Sequence, residues 1–252
     1  MRQALARTAV VIPARDEQEG IVRVLRDLPA VGVVIVVDNG SRDETARRAA
    51  ALGAEVVHEP VAGYGRACLR GLRHLDERYP ASVPDAPQWV AFLDADHADD
   101  PRLLPELVEP LAQDEADFVL GTRLKGACEP GALPPQVRWG NRLAVWLMAR
   151  IWGFRYSDLG PFRVIRRAAL ERLQMTDLDF GWTVEMQVKA VLHGLRIVEL
   201  PVPYRRRIGR SKISGTVAGT VRAGTKILYT IARYAWKTRG VPRAEGIPQN
   251  VA

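Results

Sequence analysis

The chain has only two cysteines in 252 residues, Cys68 and Cys128. That is too few for a disulfide framework, and it fits a reducing cytoplasm. No stretch approaches the ~18 uninterrupted apolar residues of a membrane span. The longest candidate, "LAVWLMARIWGF", is broken by Arg150. The N-terminus, "MRQALARTAVVIPARDE", has too short an apolar run for a signal peptide, and acidic residues follow at once. Contact with a membrane is therefore expected only at its surface, on the inner face of the plasma membrane. There is no internal repeat and no low-complexity tract. The glycines of "GYGRACLRG" lack the spacing of a Rossmann fingerprint or a P-loop. No RNA- or DNA-binding module pattern is present, which speaks against the competing reading of a basic nucleic-acid-binding protein.

What is present is a well-filled globular composition with 47% hydrophobic and 26% charged residues, and a formal net charge of +7. The length suits one generous domain. The charge favours an anionic partner: nucleic acid, anionic lipid or a phosphorylated substrate.

The first half alternates short apolar strands with helical periodicity. "TAVVIP", "GVVIVV", "AEVVH", "WVAFLD" and "DFVLGTR" read as strands, and the continuous apolar run of the second is that of a strand buried on both faces. Between them, "DEQEGIVRVLRDLP" reads as a helix with Asp16 at its N-cap and Glu19 at N3. "SRDETARRAAALG" carries a capping box of Ser41 and Glu44 and stops at Gly53. "GRACLRGLRHLDER" is a third helix, and another starts at Pro101 with Asp99 and Asp100 as capping acids. Such alternation implies an α/β fold of three layers with a mostly parallel central sheet. Ligands collect at the carboxyl ends of strands in such sheets.

The second half is richer in tryptophan and arginine. "GPFRVIRR" reads as a strand, "WTVEMQVKAVLHG" as a helix with Val184, Val188 and Val191 on one face, and "LRIVELPVPYRRR" as a last strand entering a basic loop. Residues 215–237 read as a helix with Ile227, Leu228, Ile231, Tyr234 and Ala235 along one stripe and cations around it. A basic amphipathic helix with Trp and Tyr is the pattern of a segment lying on an anionic membrane. It is equally the pattern of a packing helix or a homodimer contact. The division expected is 1–203 for the main domain, 204–239 for the basic loop and helix, and 240–252 for a flexible tail.

The acidic segment "FLDADHADDP" follows an apolar strand. Asp94 and Asp96 are two residues apart, so on an extended strand end they share a face. Two such carboxylates repel unless a cation or a proton lies between them. Hard oxygen donors with open positions suit Mg2+ or Mn2+ bridging phosphate oxygens. "IPARDE" and "VVDNGSRDET" bring further polar groups to neighbouring strand ends, where Asp38 can accept from a base N–H or a ribose hydroxyl. Gly63 and Gly65 allow close backbone approach to a ligand ahead of Arg66.

In order, "VVIPARDE", "VVDNGSRDET", "GYGRACLRG", "FLDADHADDP", "VLGTR", "SDLGPFRVIRR", "WTVEMQVKA" and "YRRRIGRSKISG" resemble family 2 glycosyltransferases with the GT-A fold. Within that family they are most similar to the dolichyl- and polyprenyl-phosphate sugar synthases. The resemblance covers residues 8 to about 235. It implies nucleotide-sugar binding by Pro13, Ala14, Arg15 and Glu17, with Asp38, Asn39 and Ser41 toward the base, Gly65 and Arg66 nearby, and Asp94, Ala95, Asp96 and Arg123 toward the ribose and diphosphate. Asp96 would bind the metal, Mg2+ or Mn2+. Asp158 or Glu185 would be the general base, if the acceptor needs one. Arg207 and Lys212 would stabilise the leaving diphosphate, and Arg138 or Arg142 with Arg163, Arg205 and Ser211 would hold the acceptor phosphate. The resemblance thus implies inverting transfer from a nucleotide sugar, UDP-sugar ahead of GDP-sugar and UDP-glucose first, to a polyprenyl phosphate. A soluble hydroxyl acceptor is the alternative. Three positions depart from the pattern: Arg15 and Asp16 stand where the synthases commonly have tyrosine and asparagine, and Ala98 stands where many carry a metal-binding glutamine.

Overall fold

Apolar runs too short for helices and flanked by glycine and acid pair into one seven-stranded sheet. The computed structural model describes residues 1–209 and 217–239. Its elements are α1 (Arg2–Ala6), β1 (Thr8–Ala14), α2 (Gly20–Asp27), β2 (Val33–Asp38), α3 (Thr45–Ala51), β3 (Glu55–His58), α4 (Tyr64–Arg78) and β4 (Trp89–Phe92). A short 3-10 turn, Pro101–Leu103, leads into α5 (Leu104–Ala112). Then come β5 (Phe118–Thr122), α6 (Pro135–Trp152), β6 (Arg163–Arg166), α7 (Arg167–Leu173), α8 (Trp182–Leu192), β7 (Ile197–Pro201) and α9 (Val217–Lys237).

The strand order is β3-β2-β1-β4-β6-β5-β7. β6 runs antiparallel to β4 and β5, and every other pairing is parallel. The mostly parallel sheet is the one expected from the βαβ alternation. Side chains alternate across it, so Val11, Ile35 and Val37 enter one core while Val10, Ile12 and Val36 enter the other. The first core is covered by α4, α6, α8 and α9, the second by α1, α2, α3 and α5. These are the three layers.

Two helix starts differ from expectation. α2 begins at Gly20, and Asp16 lies outside it with a left-handed φ of +48° and its side chain accepting from Arg42 N at 2.6 Å. α3 begins at Thr45, so Ser41 and Glu44 form no capping box: Ser41 Oγ accepts from Asp16 N at 2.9 Å, and Glu44 pairs with Arg47 and Arg48. The two loops bind each other because each carries short side chains able to accept backbone N–H groups. Asp100 does cap the turn at Pro101, accepting from Arg102 N at 3.2 Å. Asp99 does not: its carboxyl is buried and both oxygens lack a hydrogen-bond partner.

α9 belongs to the body of the molecule. Ile231 and Tyr234 of the expected apolar stripe enter the first core, while Leu228 stays 39% exposed. No helix among the described residues is long and apolar enough to cross a membrane.

Candidate active site

The parallel register places the ends of β1, β2 and β3 side by side, with Ala14 opposite Asp38 and Asp38 opposite His58. Asp94 and Asp96 follow β4 at the same edge, Arg123 follows β5, and Tyr204–Arg207 follow β7. Every element that ends here contributes a polar or charged group.

Asp38 is buried and accepts from Ser41 N at 3.2 Å, with His58 Nδ1 3.1 Å from its Oδ2. His58 was not foreseen, because only the β2–β3 register brings it there. Asn39 is spent inside the protein: it donates to Glu59 O and Val61 O and accepts from Gly63 N at 2.8 Å. The backbone of Glu17 is held by Thr45 Oγ1 at 2.8 Å, which shapes the turn after β1; Arg15 is exposed beside it. Gly65 serves packing rather than ligand approach, since a Cβ there would fall 2.0 Å from Asp177 O. The neighbouring Arg66 N donates to Leu178 O at 3.1 Å.

Asp94 accepts from the Tyr64 hydroxyl at 3.1 Å. Burial and the adjacent Asp96 carboxylate push Asp94 up to about 6, against the pull of Arg207 and the Tyr64 hydroxyl. Asp96 is buried and accepts from Ala98 N at 2.9 Å and from Arg207, whose Nε is 3.0 Å from Oδ2. Two backbone bonds, Ile208 N to Asp96 O and Arg205 N to Ala98 O, seat the basic loop on the acidic one. Arg205 pairs with Asp100, with His97 Nε2 3.4 Å from its Nη1. Burial drives Asp99 well above the usual carboxylate range, opposed by the charge of Arg123.

The donor set fits a hard divalent cation. Asp94 and Asp96 supply oxygens, and among the described residues no group of three His, Cys, Asp or Glu side chains converges to enclose a metal. Mg2+ characteristically takes one or two carboxylates and completes its shell with phosphate and water.

The two acids expected as bases are occupied. Asp158 is buried and forms a bidentate pair with Arg123, Nε and Nη2 each 2.8 Å from a carboxylate oxygen; it also accepts from Arg123 N and Leu159 N. Arg123 therefore turns inward, over the Tyr204 ring, rather than toward a diphosphate. Glu185 accepts from Thr176 N and Oγ1, Asp177 N and Tyr234 Oη, with Lys189 Nζ 2.8 Å away. Burial works against its charge, but Lys189, Tyr234 and the backbone of Asp177 prevail and hold it at about 2. Both carboxylates sit as structural anchors.

Arg163 is also a correction. It is 1% exposed and donates to the carbonyls of Gly160, Pro161 and Thr183, so it braces the β6 entry from inside the core. Arg138 and Arg142 lie on the exposed side of α6, Arg142 over the Trp139 ring. Ser211 and Lys212 lie outside the described residues.

Against this geometry, residues 9–174 match the model of glycosyl transferase family 2. An uncharacterized glycosyltransferase of Mycobacterium tuberculosis is 39% identical over 216 residues, covering 85% of this chain and 93% of the relative. An undecaprenyl-phosphate mannosyltransferase of Micrococcus luteus is 30% identical over 234 residues, covering 84% and 90%. Among solved structures, glucosyl-3-phosphoglycerate synthase of Mycobacterium tuberculosis, in complex with Mn2+, uridine diphosphate and phosphoglyceric acid, superposes with a TM-score of 0.69 at 21% identity, over 96% of this chain and 83% of that one. That likeness is one of fold, and the fold is GT-A. The chain is a member of glycosyl transferase family 2.

Proposed function

We propose that this enzyme transfers a hexose, with inversion, from a UDP-sugar to a polyprenyl phosphate at the cytoplasmic face of a membrane. The observation that carries the acceptor class is the occupation of both candidate bases. A sugar hydroxyl must lose its proton during attack. Asp158 is spent on Arg123 and Glu185 on five donors. Asp99, another buried carboxyl nearby, is sealed from solvent. A phosphate monoester is already ionised at neutral pH and needs positioning rather than deprotonation. The relative named for undecaprenyl-phosphate mannosyl transfer supports the same class.

UDP is favoured over GDP as donor nucleotide because the structural neighbour binds uridine diphosphate, and UDP-glucose is the first sugar to try. Asp38 reads the base and the backbone of Ala14–Glu17 embraces the nucleotide. Mg2+ or Mn2+ held by Asp96 would neutralise charge on the departing diphosphate. Arg207, a third exposed, would turn from Asp96 to the phosphates. Fixed charges aimed at developing charge lower the barrier without reorganisation.

The test is a transfer assay with labelled UDP- and GDP-sugars, with and without polyprenyl phosphate in detergent, beside Asp96→Asn. Label entering the organic phase only with lipid and only in the unsubstituted enzyme is expected. Transfer to a soluble alcohol with no effect of lipid would replace this reading with a soluble-acceptor transferase. That alternative takes its support from the neighbour bound to phosphoglyceric acid.

A further inference from the structure

α6 and α9 lie side by side, running in the same direction. Their early turns flank one cleft of about 260 Å³, with Leu143 on one lip, Leu228 on the other and Arg123 on the floor. Their ends are tied by Trp152 Nε1 donating to Thr238 Oγ1 at 3.2 Å. Each helix already buries one face: Ala144 and Met148 of α6, Ile231 and Tyr234 of α9, all in the first core. That inward face accounts for folding.

The outward face is also apolar, and folding gives no reason for it. The chain has six tryptophans. Trp89, Trp152 and Trp182 are buried, whereas Trp139, Trp146 and Trp236 are 71%, 57% and 69% exposed, and all three lie on these two helices. On α6, Trp139, Leu143 and Trp146 follow each other at i, i+4, i+7, one stripe of a helix. On α9, Tyr229 and Trp236 are exposed seven residues apart, two turns along the helix, and the half-exposed Leu228 next to Tyr229 lines the cleft.

Charge completes the pattern. The 39 residues of α6 and α9 hold seven arginines and lysines and no aspartate or glutamate, in a chain with 29 acids. The cations stand next to the rings, Arg142 over Trp139, Arg150 over Trp146 and Lys226 over Tyr229, each about 6 Å from the centroid. Amphipathic aromatics interleaved with cations suit the boundary between headgroups and acyl chains of an anionic bilayer, whose negative surface potential attracts each cation. A protein partner would need matching acids, and a second copy of this face would oppose seven cations to seven.

We infer that the outer faces of α6 and α9 together form a platform that lies on an anionic lipid surface and opens the cleft between them toward it. This deepens the proposed function by naming how the active site meets its acceptor. A lipid resting in that surface would enter between Leu143 and Leu228, toward the Arg123–Asp158 pair at the cleft floor.

The test is co-sedimentation of the full chain with vesicles of phosphatidylglycerol and phosphatidylcholine, against phosphatidylcholine alone. The wild type is expected to bind the anionic vesicles at least tenfold more tightly. The triple variant Trp139→Ser/Trp146→Ser/Trp236→Ser, and separately Arg233→Glu/Lys237→Glu, should lose tenfold or more while UDP binding stays unchanged. If the triple variant loses UDP binding as well, the unsubstituted protein decides: acyl-brominated anionic vesicles should quench its tryptophan fluorescence. Absent quenching, or wild-type binding by both variants, overturns the inference. So does a dimer in solution that the triple variant dissociates and that ignores vesicles. The detergent assay above needs no bilayer, so failure of lipid-phosphate transfer and failure of surface binding are read separately.

Discussion

The guanidinium of Arg207 rests on the carboxylate of Asp96, 111 residues away in sequence, with its Nε 3.0 Å from Oδ2. The basic loop thus covers the acidic one through a cation of the protein's own. Asp96 is buried while Arg207 is a third exposed, so on the proposed reading this is the pair that a metal at Asp96 would have to open.

Arg207→Ala should therefore act in opposite directions on two readouts. Mn2+ binding without nucleotide should tighten by roughly threefold to tenfold, in the range of a partly exposed ion pair. Transfer should fall by about a hundredfold, the loss typical of one charge-stabilising group. Electron paramagnetic resonance titration of free Mn2+ and initial rates measure the two. Weaker Mn2+ binding in the variant would mean that Arg207 assists the metal and does not compete with it.

Glu185 lies far enough below its ordinary value of 4.5 to matter for stability. Its depressed folded-state value adds stability that is fully present above about pH 4.5 and disappears as pH falls toward 2. A shift of this size corresponds to on the order of 3 kcal/mol. Glu185→Gln should lower the urea midpoint strongly at pH 7 and little near pH 2.5. Its turnover, on the fraction that stays folded, should remain within a few-fold of wild type. A thousandfold loss would restore Glu185 as general base.

The Arg123–Asp158 pair is buried on both sides. Asp158→Asn would leave a buried guanidinium with no opposing charge, at a cost of about 3–5 kcal/mol, or on the order of 10 °C in Tm. Replacing both together, Arg123→Met with Asp158→Leu, should recover most of that stability, because no unpaired charge remains. Calorimetry of the three proteins checks it; a double variant as unstable as the single would show that the hydrogen bonds to Arg123 N and Leu159 N dominate.

Gly20 opens α2 directly against the acidic loop: a Cβ there would lie 2.4 Å from Ala95 O and 3.0 Å from the Cα of Asp96. Backbone cannot yield as a side chain can. Gly20→Ala should cost about 1–3 kcal/mol and weaken combined UDP and Mn2+ binding. Isothermal titration reading unchanged affinity would detach α2 from the geometry of Asp96.

Periodicity alone was enough for the alternation of strands and helices, the parallel core and the strand-end location of Asp38, Asp94 and Asp96, because burial on a sheet imposes local patterns that survive in one dimension. The ordered motifs carried the family. What the side chains are used for was decided elsewhere. Ser41, Asn39 and Gly65 look like ligand groups in a line of text, yet each is taken up by a loop remote in sequence. Asp158 and Glu185 look like free acids until Arg123, Tyr234 and Lys189 arrive from other elements. His58 and Tyr64 join the site only through strand register and helix packing. The reason is physical: a polar side chain in a buried site must be satisfied by whatever the fold brings within about 3 Å, and that neighbour is set by the tertiary structure.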